Sequence, residues 1–130
     1  MIKKAGTILI NKDTKCIGLV KRKKHNDVSF PKGHVEGKES LEECAIRETR
    51  EETGRDCKII SEPVYIDEYI NKEGKVNVYY YLAMDLGSIN NNTDEELIWI
   101  EINKVKDYLS IEKLIVLWNE VYPIVIEKTK

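Results

Sequence analysis

The residues from Ser40 to Gly54 specify a helix almost without help from the rest of the chain. Ser40 followed by Glu43 is a capping box, in which each side chain takes up a backbone N–H left over at the helix start. Glu42 and Glu43 put negative charge in the first turn, where the helix dipole favours it. Gly54 supplies the left-handed residue that ends a helix. The spacing predicts a helix over 41–53, and the rest of the fold has to give that rod a surface to pack on.

Glu48, Glu51 and Glu52 fall at i, i+3 and i+4 and therefore project from one face. Ala45, Ile46 and Thr49 lie on a neighbouring arc suited to packing on a sheet. Glu48 and Glu52 form a like-charge pair that costs roughly 0.2–0.5 kcal/mol in an isolated helix. Arg47 offsets part of this by pairing with Glu43 or Glu51. Such a run usually means a solvated acidic face. Three carboxylates beside a packing arc ask for a stronger counter-charge, and hard divalent cations take oxygen ligands, with Mg²⁺ the natural candidate.

The wider stretch from Gly33 to Arg55 resembles the Nudix box, Gly-x5-Glu-x7-Arg-Glu-U-x-Glu-Glu-x-Gly-U, where U is a bulky aliphatic residue. Gly33, Glu39, Arg47, Glu48, Glu51, Glu52 and Gly54 are all in register. Thr49 and Arg55 depart from it at aliphatic positions. The resemblance implies a metal-dependent hydrolase of a nucleoside diphosphate linked to some other group. It implies an α/β fold, an α/β/α sandwich with a mixed central sheet. It also implies Mg²⁺, with Mn²⁺ as a substitute, held by Glu48, Glu51, Glu52 and the Gly33 carbonyl, and Arg47 orienting the carboxylates. Many Nudix enzymes add a glutamate from a later loop; among Asp94, Glu95 and Glu96, the spacing Glu-x-x-Trp selects Glu96 as a further metal ligand.

Two shorter stretches narrow the expectation. Phe30-Pro31-Lys32-Gly33-His34 and Tyr80-Tyr81-Leu82-Ala83 are similar to segments of asymmetrically cleaving diadenosine tetraphosphate hydrolases. Val28 and Ser29 stand where those enzymes commonly carry a Trp. The resemblance implies Lys32 and His34 as phosphate contacts. It also implies an adenine stacked on Tyr80, with Tyr81 as runner-up, since aromatic rings stack on bases at roughly 1–3 kcal/mol each. The expected substrate is a small nucleotide, diadenosine tetraphosphate split to ATP and AMP. Two other enzymes fit: a nucleoside triphosphate-sanitising pyrophosphohydrolase, or a decapping-type enzyme acting on an RNA 5′ end, because Pro-Lys-Gly occurs there too. A nucleotide sensor without catalysis has no need of all three glutamates. An interaction module would use Trp118 and Tyr122, which read better as core.

At 130 residues and net charge −2, the chain is expected to be one domain, 1–130, with a real core and no global footprint for nucleic acid. The run Lys21-Arg22-Lys23-Lys24-His25 reads as a solvated hairpin end; functionally it would hold distal phosphates or an RNA backbone. Cys16, Cys44 and Cys57 show no metal or disulfide spacing and suit a reduced compartment. The apolar stretch after Lys3-Lys4 is too short for a signal peptide, no run is long enough to span a membrane, and a cytoplasmic protein is expected.

Strands are predicted at Gly6–Ile10 and Cys16–Lys21 as a hairpin, at Cys57–Ile70 with a break or edge at Pro63, at Lys75–Asp85 and at Leu97–Ile102. Lys23–Asp27 and Ser88–Asp94 read as loops, and Asn71–Gly74 as a turn. A short helical turn is expected at Val105–Leu109. A final helix is expected from Ile111 to about Glu127, kinked or interrupted at Pro123.

Overall fold

Alternating apolar residues make nearly half of the chain into strands, and the first of them, β1 (Ile2–Asn11), organises the rest. The computed structural model describes residues 1–130. After β1 come β2 (Cys16–Arg22), β3 (Asp27–Ser29), β4 (Lys32–His34), α1 (Leu41–Thr53), β5 (Arg55–Asn71), β6 (Gly74–Ser88) and β7 (Glu96–Glu101). A single 3-10 turn leads into α2 (Val105–Tyr108), and α3 (Glu112–Lys128) closes the chain. All seven strands join one mixed sheet in the order β3-β2-β1-β6-β5, with β4 on β1 and β7 on β2. β1 runs parallel to β6, and the other pairings are antiparallel.

One edge of β1 is divided. Lys4–Gly6 pair with β4, whereas Leu9–Asn11 pair with β2. Thr7, between them, donates its N–H to the Pro31 carbonyl at 3.1 Å. The short strands β3 and β4 were read from sequence as loop and entry segment. Three residues are too few for a visible alternation, and both exist because β2 and β1 offer them hydrogen-bonding edges.

The two sheet faces are packed differently. On one, α1 sits close over small residues: Ala5 of β1 meets Cys44 and Ala45, with Tyr81 beside them. Thr49 faces Thr7 there, hydroxyl to hydroxyl at 2.8 Å, and also donates to the Ala45 carbonyl at 2.8 Å. That buried pair explains a threonine at a position where an aliphatic residue was expected. On the other face α3 buries Leu114, Leu117, Trp118, Val121 and Val125 over Ile8, Ile10, Phe30, Val76, Val78, Tyr80 and Leu82, the principal core. Trp118 and Tyr122 belong to this packing, their rings 5.7 Å apart.

Two prolines behave differently from one another. Pro63 falls between register shifts on β5, an edge strand, as a proline in a sheet should. Pro123 does not interrupt α3, which runs unbroken from Glu112 to Lys128. Pro123 and Asn119, whose carbonyl loses its partner, are both exposed, so water can take up that carbonyl. The three cysteines are free thiols. No helix is long and apolar enough to cross a membrane.

Candidate active site

The helix caps form as the sequence dictates. Ser40 Oγ accepts from the Glu43 N–H at 3.0 Å and Glu43 accepts from the Ser40 N–H at 2.8 Å. Gly54 ends the helix at φ +72° and donates to the Arg50 carbonyl. A side chain there would also run into the Asn90 carbonyl, so only glycine fits.

Arg47 holds the acidic face together. Its Nε and Nη2 bind Glu39 at 2.9 and 2.7 Å, Nη1 reaches Glu48 at 3.0 Å and Glu51 at 2.9 Å, and Nη2 donates to the His34 carbonyl at 2.9 Å. The planar guanidinium can serve all of them at once, which an ammonium cannot. Glu43, the other partner considered from sequence, is taken up by the cap. Glu39 is the site residue that sequence reasoning left without a role, although its place in the box register was the signal. The Arg47 guanidinium holds its carboxyl down at about 2.

Glu52 lies beyond this clamp, beside Glu48. Burial, then the neighbouring carboxylate, raises Glu52 to about 8, and burial also raises Glu48. Two carboxyl groups in contact resist carrying charge together where water is scarce, which favours the protonated form of the pair. Gly33 explains itself here: a Cβ at that position would fall inside the Glu48 carboxyl group. The Gly33 carbonyl, on β4, accepts the Cys44 thiol at 3.4 Å.

Glu52 opens onto a cavity of about 250 Å³. Lys32, Arg22, Lys24 and His25 line it with Glu95, and Phe30 is its only apolar wall. Lys32 is pushed down to about 8, first by burial and then by Lys4 and Arg22, and it makes no ion pair within 4.0 Å. Of the basic run, Arg22 is locked onto Asp27 at 2.6 and 2.7 Å, and Lys24 and His25 face the cavity. A wider cavity of about 360 Å³ near Tyr122 and Thr129 has Glu101 as its only carboxylate, so phosphoryl chemistry falls to the smaller one.

Burial overturns two sequence-based assignments, Tyr80 and Tyr81. Tyr80 is fully buried, edge-on to Phe30 with ring centroids 6.0 Å apart, so it offers no face to a base. Tyr81 is 4% exposed and packed under α1, so the runner-up fails for the same reason. Glu96 is exposed and pairs across from Lys21, while its neighbour Glu95 turns into the cavity with Glu52. The His34 side chain is exposed, and only its backbone carbonyl is engaged.

The residues present fit a divalent cation of the Mg²⁺ kind. No point gathers three His, Cys, Asp or Glu side chains into a ready cage. Mg²⁺ does not require one: it keeps waters and binds through one or two carboxylates plus substrate phosphates. A half-buried carboxyl pair raised above the usual carboxylate range, beside a backbone carbonyl, is such a donor set.

Comparison with known proteins places this geometry. The model of the NUDIX domain matches residues 2–120. A Mycobacterium tuberculosis protein provisionally named mutator protein MutT4 is 33% identical over 100 residues, 72% of this chain and 40% of that protein. A Caenorhabditis elegans protein provisionally named nudix hydrolase 1 is 28% identical over 78 residues, 60% of this chain and 20% of its own. The chain thus matches less than half the length of these relatives. Among solved structures, the MutT protein from Bacillus halodurans superposes with TM-score 0.78 at 20% identity, covering 94% of this chain and 82% of that one. The C. elegans Ap4A hydrolase gives 0.75 at 22% identity, covering 96% and 98%. With the box in register on α1 and the family model spanning nearly all of its length, the chain belongs to the NUDIX domain family.

Proposed function

We propose that the chain hydrolyses long nucleoside polyphosphates with Mg²⁺, diadenosine tetraphosphate above all, releasing ATP and AMP. The observation that carries the chemistry is the half-buried Glu48–Glu52 carboxyl pair, whose Glu52 opens onto a polar cavity walled by Lys32. Glu48, Glu51, Glu52 and the Gly33 carbonyl would hold the cation, with Mn²⁺ able to stand in. When bound, it neutralises charge developing on the phosphoryl oxygens and lowers the pKa of water. Arg47 keeps the carboxylates in place, and Lys32 offsets phosphate charge as a point cation. Water attacks phosphorus, the anhydride P–O bond breaks, and the water proton passes to a cavity carboxylate, Glu52 or Glu95. Phe30 packs under the cavity rather than presenting its face.

The choice of substrate draws support from the Phe30–His34 entry and from the surplus of positive charge around Lys32. A second reading, nucleoside triphosphate sanitation, is favoured by the 33% identity to the M. tuberculosis mutator protein. Incubation with Mg²⁺ and a panel of dinucleoside polyphosphates, nucleoside triphosphates, nucleoside diphosphate sugars and triphosphorylated RNA, with products resolved by chromatography, decides. ATP plus AMP is expected; two ADP would refute the asymmetric cut, and faster cleavage of a triphosphate would establish the second reading.

A further inference from the structure

The basic run reads from sequence as a solvated hairpin end, yet the turn it forms between β2 and β3, residues 23–26, is held firmly beside the active-site cavity. Arg22 and Asp27 are cross-strand partners at its base, and their half-buried side chains lock together at 2.6 and 2.7 Å. Asn26, at φ +50°, closes the turn by donating its N–H to the Arg22 carbonyl at 2.8 Å. Asparagine is one of the few residues with a side chain that accept this conformation readily. The Lys23 N–H donates to the carboxylate of Glu95, itself a wall of the cavity, at 3.1 Å. Glu95 follows a loop pinned to the end of α1: the Asp94 N–H meets the Glu51 carbonyl at 3.0 Å, and the Ile89 N–H meets the Gly54 carbonyl at 2.8 Å. The turn is thereby fixed relative to the acidic helix.

Joining two strands does not require a tie to Glu95. What the anchoring fixes is the place of Lys24 and His25, which line the cavity of about 250 Å³ beside Glu52 and Lys32. Neither makes an ion pair within 4.0 Å, although Glu52 and Glu95 share the cavity with them. Arg22, the remaining cation there, is engaged by Asp27. The cavity therefore has an acidic side and, facing the same space, a basic side of Lys24, His25 and Lys32 without carboxylate partners. Phe30 is its only apolar wall, whereas a pocket for a nucleoside is lined mostly by apolar and aromatic side chains. A chain of phosphate groups suits this space: ammonium and imidazole N–H groups both donate to phosphate oxygens, and do so without the ordering of a flexible loop.

We propose that Lys24 and His25 are substrate ligands, each donating to a phosphate oxygen of the polyphosphate chain in this cavity, and that the anchored β2–β3 turn is what presents them. The inference rests on the polyphosphate reading above, and it assigns substrate contacts to two residues outside the acidic helix and the Phe30–His34 entry.

The test is calorimetric titration of the metal-free protein with inorganic tripolyphosphate. Lys24→Met keeps the stem but removes the charge, and His25→Ala removes the imidazole; both residues are exposed, so the melting temperature should hold. Each should weaken tripolyphosphate by about fivefold, the loss of a charge-assisted hydrogen bond at an exposed position. Lys24→Arg should keep the affinity. Lys21→Met changes the net charge as Lys24→Met does, on the same hairpin but away from the cavity, and should change affinity by less than about twofold at physiological salt. With a polyphosphate substrate and Mg²⁺, Lys24→Met and His25→Ala should raise KM and leave kcat within about twofold. Tripolyphosphate affinity unmoved in both variants would overturn the proposal, as would a loss in Lys21→Met equal to that in Lys24→Met, or no tripolyphosphate binding by the unaltered protein. If the nucleotide panel shows no polyphosphate hydrolysis while the tripolyphosphate losses stand, the substrate reading falls and the two contacts survive.

Discussion

Replacing Gly33 by alanine should separate catalysis from folding. A Cβ on Gly33 would sit within bonding distance of the Glu48 carboxyl group, far closer than real contacts allow. The backbone itself accepts alanine, because Gly33 is not among the residues at positive φ. What must yield is the end of the Glu48 side chain, a flexible group, rather than main chain. To clear the new methyl the carboxylate has to withdraw by about 1 Å, and a displacement of that size at a reacting centre costs on the order of 100-fold in rate. That corresponds to ~2.7 kcal/mol of lost transition-state stabilisation. Stability should change little, since Glu48 gives up one contact to Arg47 at 3.0 Å and gains freedom from an unfavourable buried carboxyl pair. A melting shift within about 4 °C is expected. The assay is Mg²⁺-dependent turnover of the preferred nucleotide beside a thermal melt of the same preparation. Activity within about threefold of the unaltered protein, at unchanged Mg²⁺ dependence, would refute the claim that Glu48 must occupy the space beside Gly33. Wholesale unfolding would assign the glycine to folding instead.

Glu52→Gln keeps the shape of the carboxyl but removes charge a cation needs, and should lower kcat by on the order of 10²–10³ with the melting temperature preserved or raised; normal Mg²⁺-dependent turnover would exclude Glu52 from the site. Arg47→Lys keeps the charge but loses the fork that spans Glu39, Glu48 and Glu51, so turnover should drop while the ranking of substrates stays the same. A reordered ranking with turnover intact would put Arg47 in contact with substrate. In metal-free protein, folding takes up a proton on Glu52 between the ordinary value of 4.5 and about 8, so stability should fall as pH rises through that window. The slope is at most about 1.4 kcal/mol per pH unit. Glu39, held at about 2, acts the other way and costs stability as pH falls below 4.5. Melting temperature in EDTA should therefore peak near the crossover, and Mg²⁺ should flatten the alkaline side. A melting curve equally flat from pH 5 to 8 without metal would show that no proton is shared there.

The helix and its chemistry were legible in the sequence because every signal for them is local. Ser40 and Glu43 find each other three residues apart, and Gly54 meets a conformational demand of its own turn. Glu48, Glu51 and Glu52 lie along one side of a cylinder whose pitch the backbone fixes. Arg47 was likewise placed, although its strongest partner, Glu39, comes from the loop before the helix.

Strand residues carry no such guarantee. Alternation says that Tyr80 and Tyr81 point to opposite faces, but which face is filled by α3 and which by α1 depends on partners distant in the chain. Parallel pairing with β1 set Tyr80 beside Gly6 and under Phe30, and so turned an expected base platform into core. Register also separates Glu95 from Glu96: Glu96 is drawn into the ladder opposite Lys21, and Glu95 lines the cavity with Glu52. Helical spacing is a property of neighbours in sequence, whereas the side of a sheet a residue serves is settled only when the strands have paired.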